Sequence, residues 1–161
     1  MIFADLINND IVDSDNGLCV SLWFGYCDIR CPGCHNKQLW DSNEHKPNQE
    51  VIQNILKILD ESPVDLSLSI LGGEPLSDKN RNDCAEIIEE IRKRKPDLYI
   101  RCWTGRTWGT VLRESKKDQS ISSILKNINQ IITGPFKESL KCTDALIGSS
   151  NQEIKNKGID F

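Results

Sequence analysis

Three cysteines lie within one short segment, Cys27-Asp-Ile-Arg-Cys31-Pro-Gly-Cys34. The spacing C-x3-C-x2-C brings three thiolates onto one loop, where each can bind one iron of a cubane cluster. The fourth iron then lacks a protein ligand, so a small molecule with an amine and a carboxylate could chelate it. Zinc is the alternative, but zinc sites usually have a fourth ligand, and His35 is awkwardly placed beside Cys34. The spacing favours iron–sulfur and leaves zinc open.

A second candidate segment, Leu71-Gly72-Gly73-Glu74-Pro75, follows an apolar run. Glycines after a buried strand let the backbone approach a ligand closely, and Glu74 offers carboxylate oxygens to an ammonium group. Alone, such a segment is more often an ordinary turn. Together with the three cysteines, it is interpreted as part of a ligand site.

The elements that must position these segments are predicted from the spacing of apolar residues. Strands are expected over residues 18–24, 65–71, 98–103 and 128–132. Helices are expected over residues 51–59 with Asn48 as N-cap, over residues 84–91 before Pro96, and over residues 107–115, whereas the tail from Lys141 is polar and irregular. This alternation predicts one α/β domain over residues 1–161 with a mainly parallel sheet. Both segments follow strands, so they are expected to meet at one edge of that sheet.

Composition limits the classes of function. A formal net charge of −4 gives no reason to expect nucleic-acid binding or attraction to an anionic membrane. No apolar run is long enough to span a membrane, and the acidic N-terminus has no signal-peptide pattern, so a cytoplasmic location is expected. Seven unevenly spaced cysteines fit a reducing compartment. The four outside the cluster segment are expected to be small buried apolar residues: Cys19, Cys84, Cys102 and Cys142.

The two segments together resemble the radical S-adenosylmethionine (SAM) superfamily, in which the cysteines hold a [4Fe–4S] cluster and GGE binds the SAM amino group. Other segments occur in the order seen in anaerobic ribonucleoside-triphosphate reductase activating proteins. These are Cys31-Pro-Gly-Cys-His-Asn36 with Trp40, Cys102-Trp-Thr-Gly105, Gly134-Pro-Phe136 and Gly148-Ser-Ser-Asn-Gln152. The resemblance covers nearly the whole chain.

The resemblance implies a partial (β/α) barrel of the radical SAM type. It implies Cys27, Cys31 and Cys34 as cluster ligands. The SAM contacts that it implies are Gly33, Cys34, His35, Gly72, Gly73 and Glu74. One electron from a reduced flavodoxin or ferredoxin would cleave SAM to methionine and a 5′-deoxyadenosyl radical. That radical would remove a hydrogen atom from a glycine of the large reductase subunit.

The chain departs from the usual family pattern at three places. The stretch Asp15-Asn-Gly-Leu-Cys19 replaces a Gly-Pro-Gly-x-Arg run, while Thr133 and Ile147 stand where Asp and Arg are usual. These changes concern partner recognition and the finer SAM contacts. The alternatives are an activase for another glycyl radical enzyme, a deazaguanine-type synthase, or a zinc-stabilised or redox-sensing binding module without catalysis.

Overall fold

The computed structural model describes residues 1–15, 17–144 and 146–161. Asn16, in the stretch that departs from the family pattern, and Ala145 lie outside them. The described residues form a six-stranded sheet whose spatial order follows the chain. The strands are β1 (Phe3–Asp10), β2 (Cys19–Phe24), β3 (Ser67–Gly72), β4 (Ile100–Thr104), β5 (Gln130–Thr133) and β6 (Glu153–Asn156).

The four central strands, β2 to β5, pair in parallel, and β1 and β6 add antiparallel edges. The prediction of an α/β fold with a mainly parallel sheet is therefore confirmed. Among the described residues the sheet is open, because β1 and β6 have no strand beyond them. Neither edge strand was predicted, since half of the residues of β1 and three of the four of β6 are polar, and neither strand contains a buried apolar run.

Four α-helices connect the strands: α1 (Asn48–Glu61), α2 (Arg81–Arg94), α3 (Trp108–Ser115) and α4 (Gln119–Asn127). The first three confirm the predicted helices, whereas α4 was missed. The assignment of Asn48 as an N-cap is wrong: α1 begins at Asn48, and the Asn48 side chain accepts a hydrogen bond from the Met1 amino group instead. Ile128 caps the end of α4 and is not part of β5.

The main core lies between one face of the sheet and the helices. It joins alternate strand residues such as Leu22, Ile70 and Ile131 to apolar helix residues such as Ile55 and Ile88. None of the described helices is both long and apolar enough to pass through a membrane.

The opposite face of the sheet is polar and also buried. Arg101 is fully buried there and donates hydrogen bonds to Ser14 Oγ (3.0 Å) and Gln130 Oε1 (3.2 Å). On the same face, Cys19 Sγ lies 3.5 Å from the Asp13 carbonyl oxygen. Arg101 Nη1 lies 3.5 Å from the same oxygen. The buried guanidinium on this face is therefore supplied by β4.

Candidate cluster and cofactor site

The segments that follow the parallel strands meet around one cavity of about 420 Å³. This volume lies in the range of roughly 300–1,000 Å³ that is usual for small-molecule sites. Parallel strands end at the same edge, so the loops after β2, β3, β4 and β5 all reach this cavity. The prediction that the motifs converge on one edge is confirmed. The predicted site residues that line the cavity are Cys27, Cys31, Cys34, His35, Gly72, Gly73 and Glu74.

The cysteine loop follows β2 and has an unusual backbone. Tyr26 and Arg30 both have positive φ angles, 61° and 50°, which cost energy for residues with a Cβ atom. Gly33 has φ 76°, and a Cβ there would lie 2.7 Å from the Glu138 carboxylate. The glycine thus permits a tight turn between Cys31 and Cys34. Gly33, a predicted SAM contact, packs on Glu138 and is absent from the cavity wall.

Backbone N–H groups point at the cysteine sulfurs. The Asn36 amide donates to Cys34 Sγ at 3.4 Å, and the backbone amides of Ile29 and Arg30 act to lower the pKa of the Cys27 thiol. Burial raises the pKa of the Cys27 thiol, and these amides oppose that effect. Burial also raises the pKa of the Cys31 thiol. Amide donors to sulfur stabilise the negative charge of metal-bound thiolates, so the donor set fits an iron–sulfur cluster.

Within the described ranges, no three His, Cys, Asp or Glu side chains are arranged around a single metal-ion position. In a cubane each cysteine binds a different iron, so the sulfurs surround the cluster and do not converge on one point.

Gly72 and Gly73 allow close backbone contact between β3 and the residues before Cys27. A Cβ at Gly72 would lie 2.6 Å from the Phe24 carbonyl oxygen, and one at Gly73 would lie 2.2 Å from that of Tyr26. This close approach permits two backbone hydrogen bonds. The Gly73 amide donates to Phe24 O (2.7 Å), and the Glu74 amide donates to Tyr26 O (2.8 Å). The glycine pair was predicted to admit a ligand, but it also joins the two motif-bearing loops.

The Glu74 side chain is fully buried at the inner end of the cavity. Its Oε1 accepts hydrogen bonds from the Leu76 amide (2.9 Å) and the Thr104 hydroxyl (2.7 Å), and its Oε2 accepts one from the Gly105 amide (2.8 Å). Burial raises the pKa of Glu74, while these three donors and the nearby Arg106 oppose the rise. The carboxylate is thus held in one orientation by the end of β4.

The two C-terminal motifs form one unit beside the cysteine loop. Gln152 Nε2 donates to the Gly134 carbonyl (3.0 Å), and Asn151 Nδ2 donates to that of Pro135 (2.9 Å). The Phe136 ring packs against His35 with 5.4 Å between ring centroids. The segments 134–136 and 148–152 therefore close one side of the cavity. The sequence had shown only that they follow each other in the order seen in the family.

The prediction for one cysteine is wrong, and the structure shows an ion pair that the sequence did not indicate. Cys19, Cys84 and Cys102 are buried as predicted, but Cys142 is only half-buried and lines the cavity. Arg106 pairs with Asp28 inside the cysteine loop. Nothing in the spacing of these two residues, which lie 78 positions apart, could have indicated the pair.

Comparison with known proteins agrees with this site. Residues 14–155 match the family model described as a 4Fe-4S single cluster domain. The chain is 31% identical to the anaerobic ribonucleoside-triphosphate reductase-activating protein of Salmonella typhi, with 90% of this chain and 92% of the relative covered. It is 30% identical to the protein of that name from Pasteurella multocida, with 96% of each covered.

A relative of the same name in Enterobacteria phage T4 is 26% identical, with 86% of this chain and 83% of that protein covered. No solved structure matches the chain significantly. The cysteine loop, its amide donors and these relatives lead to one assignment. The chain belongs to the 4Fe-4S single cluster domain family and, within it, to the anaerobic ribonucleoside-triphosphate reductase-activating proteins.

Proposed function

We propose that this chain activates an anaerobic ribonucleoside-triphosphate reductase by forming a glycyl radical on its large subunit. Cys27, Cys31 and Cys34 would hold a [4Fe–4S] cluster, and SAM would bind beside it. The observation that supports this proposal most directly is the single cavity shared by the three thiols and the buried Glu74 carboxylate. The membership of the reductase-activating family supplies the reaction class.

A cluster held by Cys27, Cys31 and Cys34 would pass one electron from a reduced donor to SAM, chemistry that would give methionine and a 5′-deoxyadenosyl radical able to take a hydrogen atom from the substrate glycine. The protein positions both partners. Three cysteines leave one iron open to the amine and carboxylate of SAM. Glu74 is proposed to accept a hydrogen bond from that amine.

The hydrogen bonds of Glu74 leave one acceptor site unused for this contact. A carboxylate offers about four acceptor sites, two on each oxygen. Three are used by Leu76, Thr104 and Gly105, with two on Oε1 and one on Oε2. The remaining site on Oε2 is the proposed acceptor for the ammonium group. His35, Gly72 and Gly73 would line the same ligand.

The open sheet is proposed to be a partial (β/α) barrel of the radical SAM type. An incomplete barrel leaves space for a polypeptide substrate beside the cavity. A reduced flavodoxin or ferredoxin is proposed as the electron donor.

The decisive experiment is an anaerobic incubation of the iron-loaded protein with the reductase of its own host, SAM and a reductant. Electron paramagnetic resonance (EPR) should show a glycyl radical that depends on all components. Single changes of Cys27, Cys31 or Cys34 to Ala should abolish that radical together with SAM cleavage, because three ligands are the minimum that anchors the cluster.

The matched control is Cys142→Ser, because Cys142 lines the same cavity without being a proposed ligand. This variant should keep the iron content of the parent protein. Loss of iron in Cys142→Ser would show that Cys142 is a fourth cluster ligand, which would leave no iron free to bind SAM. A colourless protein that contains zinc would contradict the proposed function altogether.

A further inference from the structure

We infer that Arg106 is a positioning residue for the cluster. Its guanidinium holds the first half of the Cys27–Cys34 loop against the segment that carries Glu74. This inference rests on one part of the proposed function, namely that this loop binds a cluster. It assigns a role to a residue outside the motifs that the resemblance identified.

The Arg106 side chain joins three separate segments. Its Nη2 lies 3.0 Å from Asp28 Oδ2, within the cysteine loop, and its Nε lies 3.4 Å from the carbonyl oxygen of Leu76. Its Nε also lies 3.6 Å from Glu114 Oε2 of α3, an ion pair beyond hydrogen-bond distance. The side chain is only 15% exposed, so solvent screens these contacts less than on an open surface.

The backbone around Arg106 reinforces the connection. A Cβ at Gly105 would lie 2.9 Å from Ile29, so this turn packs directly on the cysteine loop. The Gly105 amide donates to Glu74, and the Arg106 carbonyl accepts from the Gly134 amide at 2.8 Å. One turn after β4 therefore contacts the segments that follow β2, β3 and β5.

The cysteine loop needs such a restraint because of its backbone. Asp28 lies between Tyr26 and Arg30, both at positive φ, and strained conformations of this kind persist only where the surroundings enforce them. The other ion pair of the loop, Arg30 with Asp41, is 49% and 78% exposed and is worth little. The pair of Asp28 with Arg106 is the more protected, at 30% and 15% exposed.

The test compares Arg106→Gln and Asp28→Asn with a control, Arg81→Gln. Arg81 makes an ion pair of 2.9 Å with Asp118, at 29% and 24% exposed, between α2 and the start of α4. The measurement is the rate at which the anaerobically reconstituted protein loses iron to a chelator. Thermal unfolding of each iron-free variant measures general stability, and EPR of the reduced cluster reports its environment.

Both Arg106→Gln and Asp28→Asn should release iron about tenfold faster than the parent protein, as is typical when a residue that orients metal ligands is removed. The double variant should release iron no faster than Arg106→Gln alone, because Asp28 is proposed to act through its contact with Arg106. Arg106→Lys should release iron more slowly than Arg106→Gln but faster than the parent protein, because lysine keeps the positive charge but not the several fixed donors of the planar guanidinium. Arg81→Gln should leave iron release unchanged.

Iron release equal to that of the parent protein in both single variants would overturn the inference. Equal acceleration in Arg81→Gln would also overturn it, because the effect would then follow from general stability. If Arg106→Gln does not fold, Asp28→Asn on the loop carries the test. If the parent protein binds no iron, the proposed function itself is wrong. The iron content after reconstitution shows this before any release rate is measured.

Discussion

The Thr104 hydroxyl donates a hydrogen bond of 2.7 Å to Oε1 of Glu74, across two neighbouring parallel strands. This contact links the WTG segment at the end of β4 to the GGE segment at the end of β3. It gives the Thr104 hydroxyl a partner in the buried Glu74 carboxylate. Because Glu74 is fully buried, the loss of one donor is expected to alter both the orientation and the charge state of the carboxylate.

Thr104→Val should therefore weaken SAM binding. Valine has the shape of threonine but no hydroxyl, so Glu74 Oε1 keeps only the Leu76 amide. The dissociation constant for SAM should rise by about three- to tenfold, which corresponds to a hydrogen bond of about 0.5–1.5 kcal/mol. Anaerobic equilibrium binding to the iron-loaded protein measures it. Thr104→Ser, which retains the hydroxyl, is the matched control, and equal weakening in both variants would contradict the prediction.

Glu74→Gln should weaken SAM binding more strongly and should also destabilise the iron-free protein. A glutamine amide places an NH2 group against either the Gly105 amide or the Leu76 amide, so one backbone donor loses its acceptor. That loss costs about 1–3 kcal/mol. Chemical unfolding of the iron-free protein and SAM titration of the iron-loaded protein separate the two effects. Unchanged SAM affinity would mean that Glu74 serves only to join the loops.

Gly73→Ala should destabilise the protein and disturb the cysteine loop, because its Cβ would lie 2.2 Å from the Tyr26 carbonyl oxygen. The comparison is Gly109→Ala in α3, where a Cβ meets nothing within 4 Å. Alanine at that helical position should stabilise the protein by up to about 1 kcal/mol. Urea unfolding of both variants tests the contrast, and similar stabilities for the two would refute the close packing at Gly73.

Arg101→Met should lower the free energy of unfolding by about 3–5 kcal/mol. The guanidinium is fully buried and donates to Ser14, Asp15 and Gln130, so its removal takes the cationic donor from two buried side chains and one partly exposed carboxylate. Arg81→Met, which removes a partly exposed ion pair, should cost about 0–1 kcal/mol. Urea denaturation of the iron-free proteins gives both values. A cost for Arg101→Met as small as that for Arg81→Met would show that this polar face tolerates the loss.

Stability should depend on pH through Asp13. Burial, together with the repulsion and hydrogen bonding of Asp10, raises the pKa of Asp13 from 3.8 to about 7, and Arg101 partly opposes this rise. Between these two values the folded protein holds a proton that the unfolded chain has lost. The contribution of Asp13 to stability is therefore complete below pH 3.8 and decreases as the pH rises towards 7.

Asp13→Asn should remove this dependence. The difference in unfolding free energy between the parent protein and the variant should change steadily from about pH 4 to about pH 7 and then level off. Urea unfolding across this pH range measures it. A constant difference throughout would mean that Asp13 titrates normally.

The sequence by itself determined the chemistry and the type of fold. Cysteine spacing depends on local chain geometry, so Cys27, Cys31 and Cys34 could be proposed as cluster ligands without a structure. The central strands and the first three helices were equally readable, because buried apolar residues recur along them with the period of each element. Strand β6 has only four residues, three of them polar, so it gave no such signal. Helix α4 carries Ile121, Ile124 and Leu125 at helical spacing and was missed nonetheless.

Only the tertiary structure decided how the motifs depend on one another. It showed that Glu74 is held by Thr104 and Gly105, and that Arg106 reaches Asp28. These contacts join residues about 30 to 80 positions apart, and each depends on the register and packing of parallel strands. A single sequence encodes those distances only through the whole fold, so local patterns could identify the reacting groups but not the contacts that orient them.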